Sequence, residues 1–520
     1  MVQVSSLTAQ LLAIAACASF PGVAADEVAA SSSAVASLAG SEKIACSLLS
    51  KKYPDLTFFA GSDGYAFETQ TQYWSATAYN TPACVFVPKN AQQVSFAITT
   101  LTLSLTKFAV RSGGHMPVLG YNNIGSSGVL LSTSNLNTLS VSNDKATVSV
   151  GAGNRWRDVY SYLQTYNLAA VGGRIGGVGV SGLLLGGGIS FHSNQYGFAA
   201  DNVVRYQAVL ASGLVVEATA TNAFSDLYWA LKGGGNSFAI VTRFDLKTVP
   251  STKVWVGISQ YAQTDSDKYL DAVYNFGKYG SADGKAAIIP TILTYPSYNL
   301  TAYAAARFYD SETAPATAFE NFTAPALTPV ADTSALQPLA EYVSAVDALQ
   351  PTGLRQEHSF RVLSLVVNRE AVDLVHNTFI AAANSKLASI VGLSASITFQ
   401  PITKEFIQQG IRRGGPNPQG VDPAKAPYFW VVENLSWQDA KDDEAARSFA
   451  ESITAEIEAS LEAKGVAGGY LYLNDAGKGQ RVFQSYPAAN LARLKAIRFK
   501  YDPLRIYTNL LTGGWKVLDA

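Results

Sequence analysis

His115 stands directly behind Gly113-Gly114 in the run "VRSGGHMPVLGYNN", in a chain with only four histidines. A histidine can donate or accept a proton, ligate a metal or form a bond through a ring nitrogen. Two glycines before it leave the backbone bare and open to close approach. Two more glycine-dense stretches follow, "GGRIGGVGVSGLLLGGGIS" (Gly172 to Ser190) and "LKGGGNSFAIVTRF" (Leu231 to Phe244). Backbone N–H groups in such turns can hold a phosphate. Each cluster alone reads equally as tight turns. Three together point to a large phosphate-bearing ligand lying across the backbone.

The commoner ligands fit poorly. "VGVSGLLLGGG" does not keep the spacing of a dinucleotide-binding βαβ turn. No G-x-x-x-x-G-K-[ST] occurs. His115, His192, His358 and His376 form no H-x-x-x-H or H-E-x-x-H group, and no C-x-x-C accompanies them, so no metal site is expected. Ser181 in "GVGVSG" misses the serine-nucleophile turn by one residue. Net charge is -1, with no long basic run, which gives no reason to expect a nucleic-acid or anionic-membrane partner.

The elements that must position these residues follow from periodicity. "TVSVGAG" alternates like a strand, and "WRDVYSYLQTY" is helical. Further on, Phe449, Ile453, Ile457 and Leu461 recur every fourth residue on one helix face, which Gly465 can end. Leu491, Leu494, Ile497 and Tyr501 face inward from a last helix stopped by Asp502-Pro503. At the start, "LLAIAACASF" is too short to span a bilayer and is followed by small residues. It reads as a signal peptide over residues 1–25, and the protein is expected to be secreted. After its removal Cys46 and Cys84 remain, which an exported chain can pair; two free buried thiols are the other reading. Asn299, Asn321 and Asn434 head glycosylation sequons.

The five segments "YWSATAYNTPACVFVPKNAQQVSFAI", "VRSGGHMPVLGYNNIGSSGVLLSTSNLN", "GVGVSGLLLGGGISFHSNQYGFAADNV", "DLYWALKGGGNSFAIVTRFDLKTVP" and "YLYLNDAGKG", the last with "LKAIRFKYDPLRIY", occur in that order. Together they resemble the berberine bridge enzyme-like branch of the vanillyl-alcohol oxidase superfamily, in its secreted fungal form. The resemblance implies an α+β fold of two domains. The FAD-binding domain would span 26–250 and return over 466–520. A substrate domain with an antiparallel sheet covered by helices would fill 251–465.

The resemblance also implies FAD bonded covalently to His115. Cofactor-binding positions carried over are Arg111, Ser112, Gly113, Gly114 and His115; Gly179, Val180, Gly182, Gly187, Gly188 and Asn202; Ile240; and Asn474. Many relatives carry a second link through a cysteine. Ile175 stands at that position here, so a single link is expected. Val178 matches the position that gates oxygen. Tyr472 is the best candidate for the catalytic base, with His192, His358 and Gln400 weaker. The implied activity is that of an oxidase, moving hydride from an alcohol-type substrate, a carbohydrate or a secondary metabolite, to FAD and then to molecular oxygen, with hydrogen peroxide released. An oxidative cyclase, an oxygen-avoiding dehydrogenase and a secreted flavin- or carbohydrate-binding protein without turnover are the alternatives. A monomer is expected.

Overall fold

The computed structural model describes residues 40–350, 352–356 and 361–520. The signal-peptide expectation and His358 lie outside the described residues.

The first sheet has four strands in the order Thr57–Phe58, Cys84–Phe86, Gly128–Ser132, Lys107–Arg111. Its last two pairings are parallel, bridged by the helix Ala91–Leu103, whose N-cap Asn90 accepts from the Gln93 amide at 3.0 Å. Parallel strands are covered on both faces. Accordingly "CVF" and "GVLLS" are uninterrupted by exposed residues. A disulfide joins Cys46, on the helix Ser41–Lys52, to Cys84 at a Cα–Cα distance of 5.9 Å.

A second, antiparallel sheet is built around the strand Ile240–Pro250. Thr147–Gly151 flanks it on one side and Val203–Val209 on the other. The third glycine cluster therefore feeds straight into a central strand. The expected strand at 147 and helix at 156 are both present, as Thr147–Gly151 and Trp156–Gln164.

The third sheet has eight strands between Val254 and Ser436, all antiparallel. Its two faces follow strand alternation. Ile288, Ile292, Ile397, Phe399, Phe429 and Val431 pack under the helices Ser266–Tyr279, Arg369–Lys386 and Asp443–Ala463. Their neighbours Ile289, Ile402, Tyr428 and Trp430 turn the other way, against the core of the first half of the chain. The expected stripe Phe449, Ile453, Ile457, Leu461 is fully buried, and Gly465 follows with φ of +67°.

The chain then comes back. The helix Ala488–Tyr501 buries Leu494 and Ile497. Asp502 accepts from the amides of Ile506 and Tyr507, both at 2.8 Å, so its carboxylate starts the next turn as well as ending the helix. Beyond it the Phe108 amide donates to Leu510 O at 2.9 Å, and the Thr512 amide donates to Phe108 O at 2.8 Å. The C-terminal segment thus lies along the strand that carries Arg111.

Candidate active site

The strand Lys107–Arg111 ends where the first glycine cluster starts. Arg111 is wholly buried and ion-paired to Glu68, with Ser132 Oγ at 2.5 Å and Ser134 Oγ at 3.0 Å. Burial, and then the Arg155 charge, lower its pKa to about 9, which still leaves it charged at neutral pH. Its side chain is committed to Glu68 and fixes the strand end from behind.

Ser112 Oγ and Ser181 Oγ both donate to Ala152 O at 2.8 Å, so one carbonyl holds the first and second glycine loops together. A Cβ on Gly113 would lie 2.4 Å from Gly179 Cα, and one on Gly114 (φ +69°) would lie 2.2 Å from Gln72 O. These two glycines let backbone meet backbone, a reason that a single loop read alone could not reveal. The amides of Gly113, Gly114 and His115 have no acceptor among the described residues. Neither do those of Arg174, Ile175, Gly176 and Gly177 in the facing loop. Two apposed runs of free N–H groups suit an anionic, acceptor-rich cofactor.

His115 is half-buried and stacks on Trp74, with ring centroids 4.3 Å apart and an interplanar angle of 10°. Burial, then the Arg155 guanidinium, lower its pKa to about 4, against a weaker opposing pull from Asp347. Arg155 is itself fixed on Gln72 O and Oε1, both at 2.9 Å. The imidazole is therefore neutral at neutral pH and keeps a ring lone pair.

The second loop passes Gly172 and Gly173 over the Trp156 ring. Ile175 is half-buried in it. Val178, also half-buried, borders the Gly113–Gly179 contact, with its carbonyl accepting from Trp156 N at 3.1 Å. Val180 is buried in the short helix Val180–Leu185. On that helix a Cβ at Gly182 would meet nothing within 4 Å, so this glycine faces open space. Gly187 (φ +102°) abuts Gln419, and Gly188 (φ +86°) abuts Leu183 and Ala199. Ile240 is buried at the start of its strand. Asn202 donates to Tyr196 O at 3.0 Å and Phe198 O at 2.9 Å and accepts from Arg413. Its side chain holds the loop between Tyr196 and Phe198.

The returning segment closes the site. Asn474 Nδ2 donates to Leu183 O and to the Tyr472 hydroxyl, both at 2.9 Å. Tyr472 also accepts from the Ile189 amide at 3.0 Å and stacks on Trp430 of the large sheet at 5.2 Å. Burial, then the Asp475 charge, push the Tyr472 pKa well above its ordinary value. Dehydration disfavours the phenolate, and the contacts of the Tyr472 hydroxyl and ring tie the returning segment to the second glycine loop and to the large sheet. Gln400 bridges Arg174 and the buried Asp475, donating to Asp475 Oδ2 at 2.7 Å. Trp74, Arg174 and Asp475 were not singled out from sequence, although the last two adjoin residues that were. His192 is buried beside Phe308, 3.8 Å from Asp310, as a packed residue of the domain contact. Asn434 lies half-buried within the strand Tyr428–Ser436, with its Oδ1 buried. Among the described residues no group of three or more His, Cys, Asp or Glu could hold a metal, and no helix is long and apolar enough to cross a membrane.

Two glycine loops, a covering sheet and a returning tail define an FAD-binding domain with a second, sheet-containing domain, the architecture of vanillyl-alcohol oxidase-type oxidoreductases. A family model described as an FAD binding domain matches residues 82–219. The FAD-dependent monooxygenase prx3 of Penicillium roqueforti is 38% identical over 500 residues, covering 94% of this chain and 96% of its own. The bifunctional solanapyrone synthase of Alternaria solani is 33% identical over 487 residues, covering 92% and 90%. The chain belongs to this family of FAD-dependent oxidoreductases. Among solved structures, the glucooligosaccharide oxidase of Acremonium strictum, described with a 6-S-cysteinyl, 8α-N1-histidyl FAD, superposes with a TM-score of 0.72 at 17% identity, over 91% of this chain and 99% of that one. The xylooligosaccharide oxidase of Myceliophthora thermophila gives 0.70 at 19%, over 91% and 100%.

Proposed function

We propose that this protein is a secreted FAD-linked oxidase that carries its flavin on His115 alone and oxidises an alcohol-type substrate, with molecular oxygen as the final acceptor and hydrogen peroxide as a product. The observation that carries the reading is His115, stacked on Trp74, beside two apposed loops of unaccepted amides. When bound, FAD accepts the hydride and returns the electrons to oxygen. The loop amides of Gly113 to His115 and of Arg174 to Gly177 would hold the cofactor's acceptor atoms. Asn474 and Tyr472 brace the helix Val180–Leu185 and its following turn against it. Trp74 holds the imidazole of His115 in plane. Ile175, a hydrocarbon, can form no thioether, so attachment stops at one bond.

The test is denaturation. Flavin fluorescence should stay with the polypeptide in acid and map to the peptide containing His115. In His115→Ala it should be released quantitatively, while the native-state yellow colour persists at reduced occupancy. Flavin released quantitatively from the native sequence contradicts the single link.

A second reading, an oxidative cyclase or monooxygenase, is supported by the synthase and monooxygenase names of the two fungal relatives. The ratio of peroxide formed to oxygen consumed separates a monooxygenase, in which oxygen incorporation lowers it, from a two-electron oxidase or cyclase, both of which give one to one. Product analysis separates those two: a carbonyl from the alcohol for the oxidase, a new ring for the cyclase. Export is consistent with the Cys46–Cys84 pair and with Asn299 at an exposed hairpin tip.

A further inference from the structure

The face of the large sheet that looks toward the FAD-binding half carries no Asp, Glu, Lys, Arg or His among the described residues. The charged residues of these strands that are buried, Arg307 and Glu433, lie on the opposite face, as strand alternation requires. Near its centre the uncharged face has one half-buried row across four paired strands: Ala304, Thr291, Thr398, Val432. Two residues along, about 7 Å by strand rise, Gln400 and Trp430 make the contacts with Asp475 and Tyr472 already described. In the other direction the row gives way to Leu293. The row is thus where the sheet parts from the FAD-binding half.

The one polar feature of the row is a hydroxyl pair, Thr291 Oγ1 to Thr398 Oγ1 at 2.9 Å. One proton lies between them. The second hydroxyl proton has no acceptor among the described residues, so the pair can donate one hydrogen bond and accept others. Beyond Gln400, the charges of Arg174 and Asp475 offset each other through it.

We infer that this row is the substrate's specificity wall, and that it takes a neutral, largely apolar molecule whose single oxygen function meets the Thr291–Thr398 pair. The inference rests on the proposed flavin reading and adds the substrate class to it. A carboxylate placed against this wall would lose hydration with no countercharge. An oligosaccharide would leave hydroxyls unmet beside Ala304, Val432 and Leu293. A hydrophobic body with one alcohol or carbonyl leaves nothing unpaired.

Calorimetric titration of the holoprotein tests this with three probes: 2-naphthalenemethanol, 2-naphthoate and cellobiose. The alcohol should bind, the carboxylate at least tenfold more weakly, and cellobiose not at all. The double variant Thr291→Val/Thr398→Val should weaken the alcohol about tenfold and leave 2-methylnaphthalene unchanged. Thr398→Ser, which keeps the hydroxyl, should bind the alcohol as the native protein does. The inference is overturned if cellobiose or naphthoate binds as tightly as the alcohol, if the alcohol does not bind, or if loss of both hydroxyls changes nothing. Flavin content, read separately from absorbance, reports on the flavin reading: protein devoid of flavin refutes that reading, whereas the calorimetric selectivity still judges the wall.

Discussion

Val178 borders the contact where Gly113 and Gly179 bring the two glycine loops together, and its side chain is half-buried. Beside a flavin held there, one more methylene fills space that a diatomic gas could use. Val178→Leu is expected to slow reoxidation of the reduced protein by oxygen about tenfold or more while leaving anaerobic reduction by substrate unchanged; a tenfold change is about 1.4 kcal/mol in the barrier. Stopped-flow absorbance times the two half-reactions separately, and equal slowing of both would mean that the valine packs on the substrate or the ring. At this scale the sequence was a good guide to where chemistry happens and a poor guide to what each side chain does. R-S-G-G-H marks the loop, but Arg111 answers to Glu68, which lies far back in the chain, and Gly113 answers to Gly179. Those partners are long-range, and no spacing within one motif encodes them. The surroundings of Tyr472 are likewise not written in its own motif: its partners Ile189 and Trp430 are distant in the chain, and a phenol's acidity depends on how completely such neighbours exclude water.

Glu433 shows what the packing of an element can impose on one group. Its strand, Tyr428–Ser436, turns it under the helix Asp443–Ala463, where Thr454 Oγ1 donates to it at 2.5 Å and its other oxygen has no partner among the described residues. Burial lifts its pKa to about 8, against the pull of Thr454 and Arg361. The folded protein therefore keeps a proton that the unfolded chain gives up above the ordinary glutamate range. Stability should fall as pH rises from about 4.5 to about 8. Glu433→Gln, which needs no proton, should match the native stability near the lower limit and exceed it near the upper by about 4 kcal/mol. Thermal melts across that window read the difference, and a pH-independent offset would refute it. The strand and both late helices were legible because their apolar spacing is periodic. Glu433 on an inward face was not, since alternation alone does not say which side of a two-faced sheet a helix covers.

Across the whole molecule, the disulfide closes a sequence separation of 38 residues between the first described helix and the first parallel pair. Replacing Cys46 and Cys84 by Ser should lower unfolding stability by about 3–4 kcal/mol on the chain-entropy estimate, read from chemical denaturation followed by tryptophan fluorescence. The two-domain order was legible because five segments stand in sequence along the chain. That the eight-stranded sheet presents an uncharged face to the other half was not, since it emerges only when its strands are laid in register. One consequence belongs to synthesis. The glycines of all three clusters have been made by Gly235, yet Asn474 bonds Leu183 across 291 residues and Thr512 bonds Phe108 across 404. A nascent polypeptide leaving the ribosome must therefore hold its first half open until the last tenth or so of it has been translated. Loading of the prosthetic group is then a late, post-translational event, and the exposed half-site is what a chaperone would meet first.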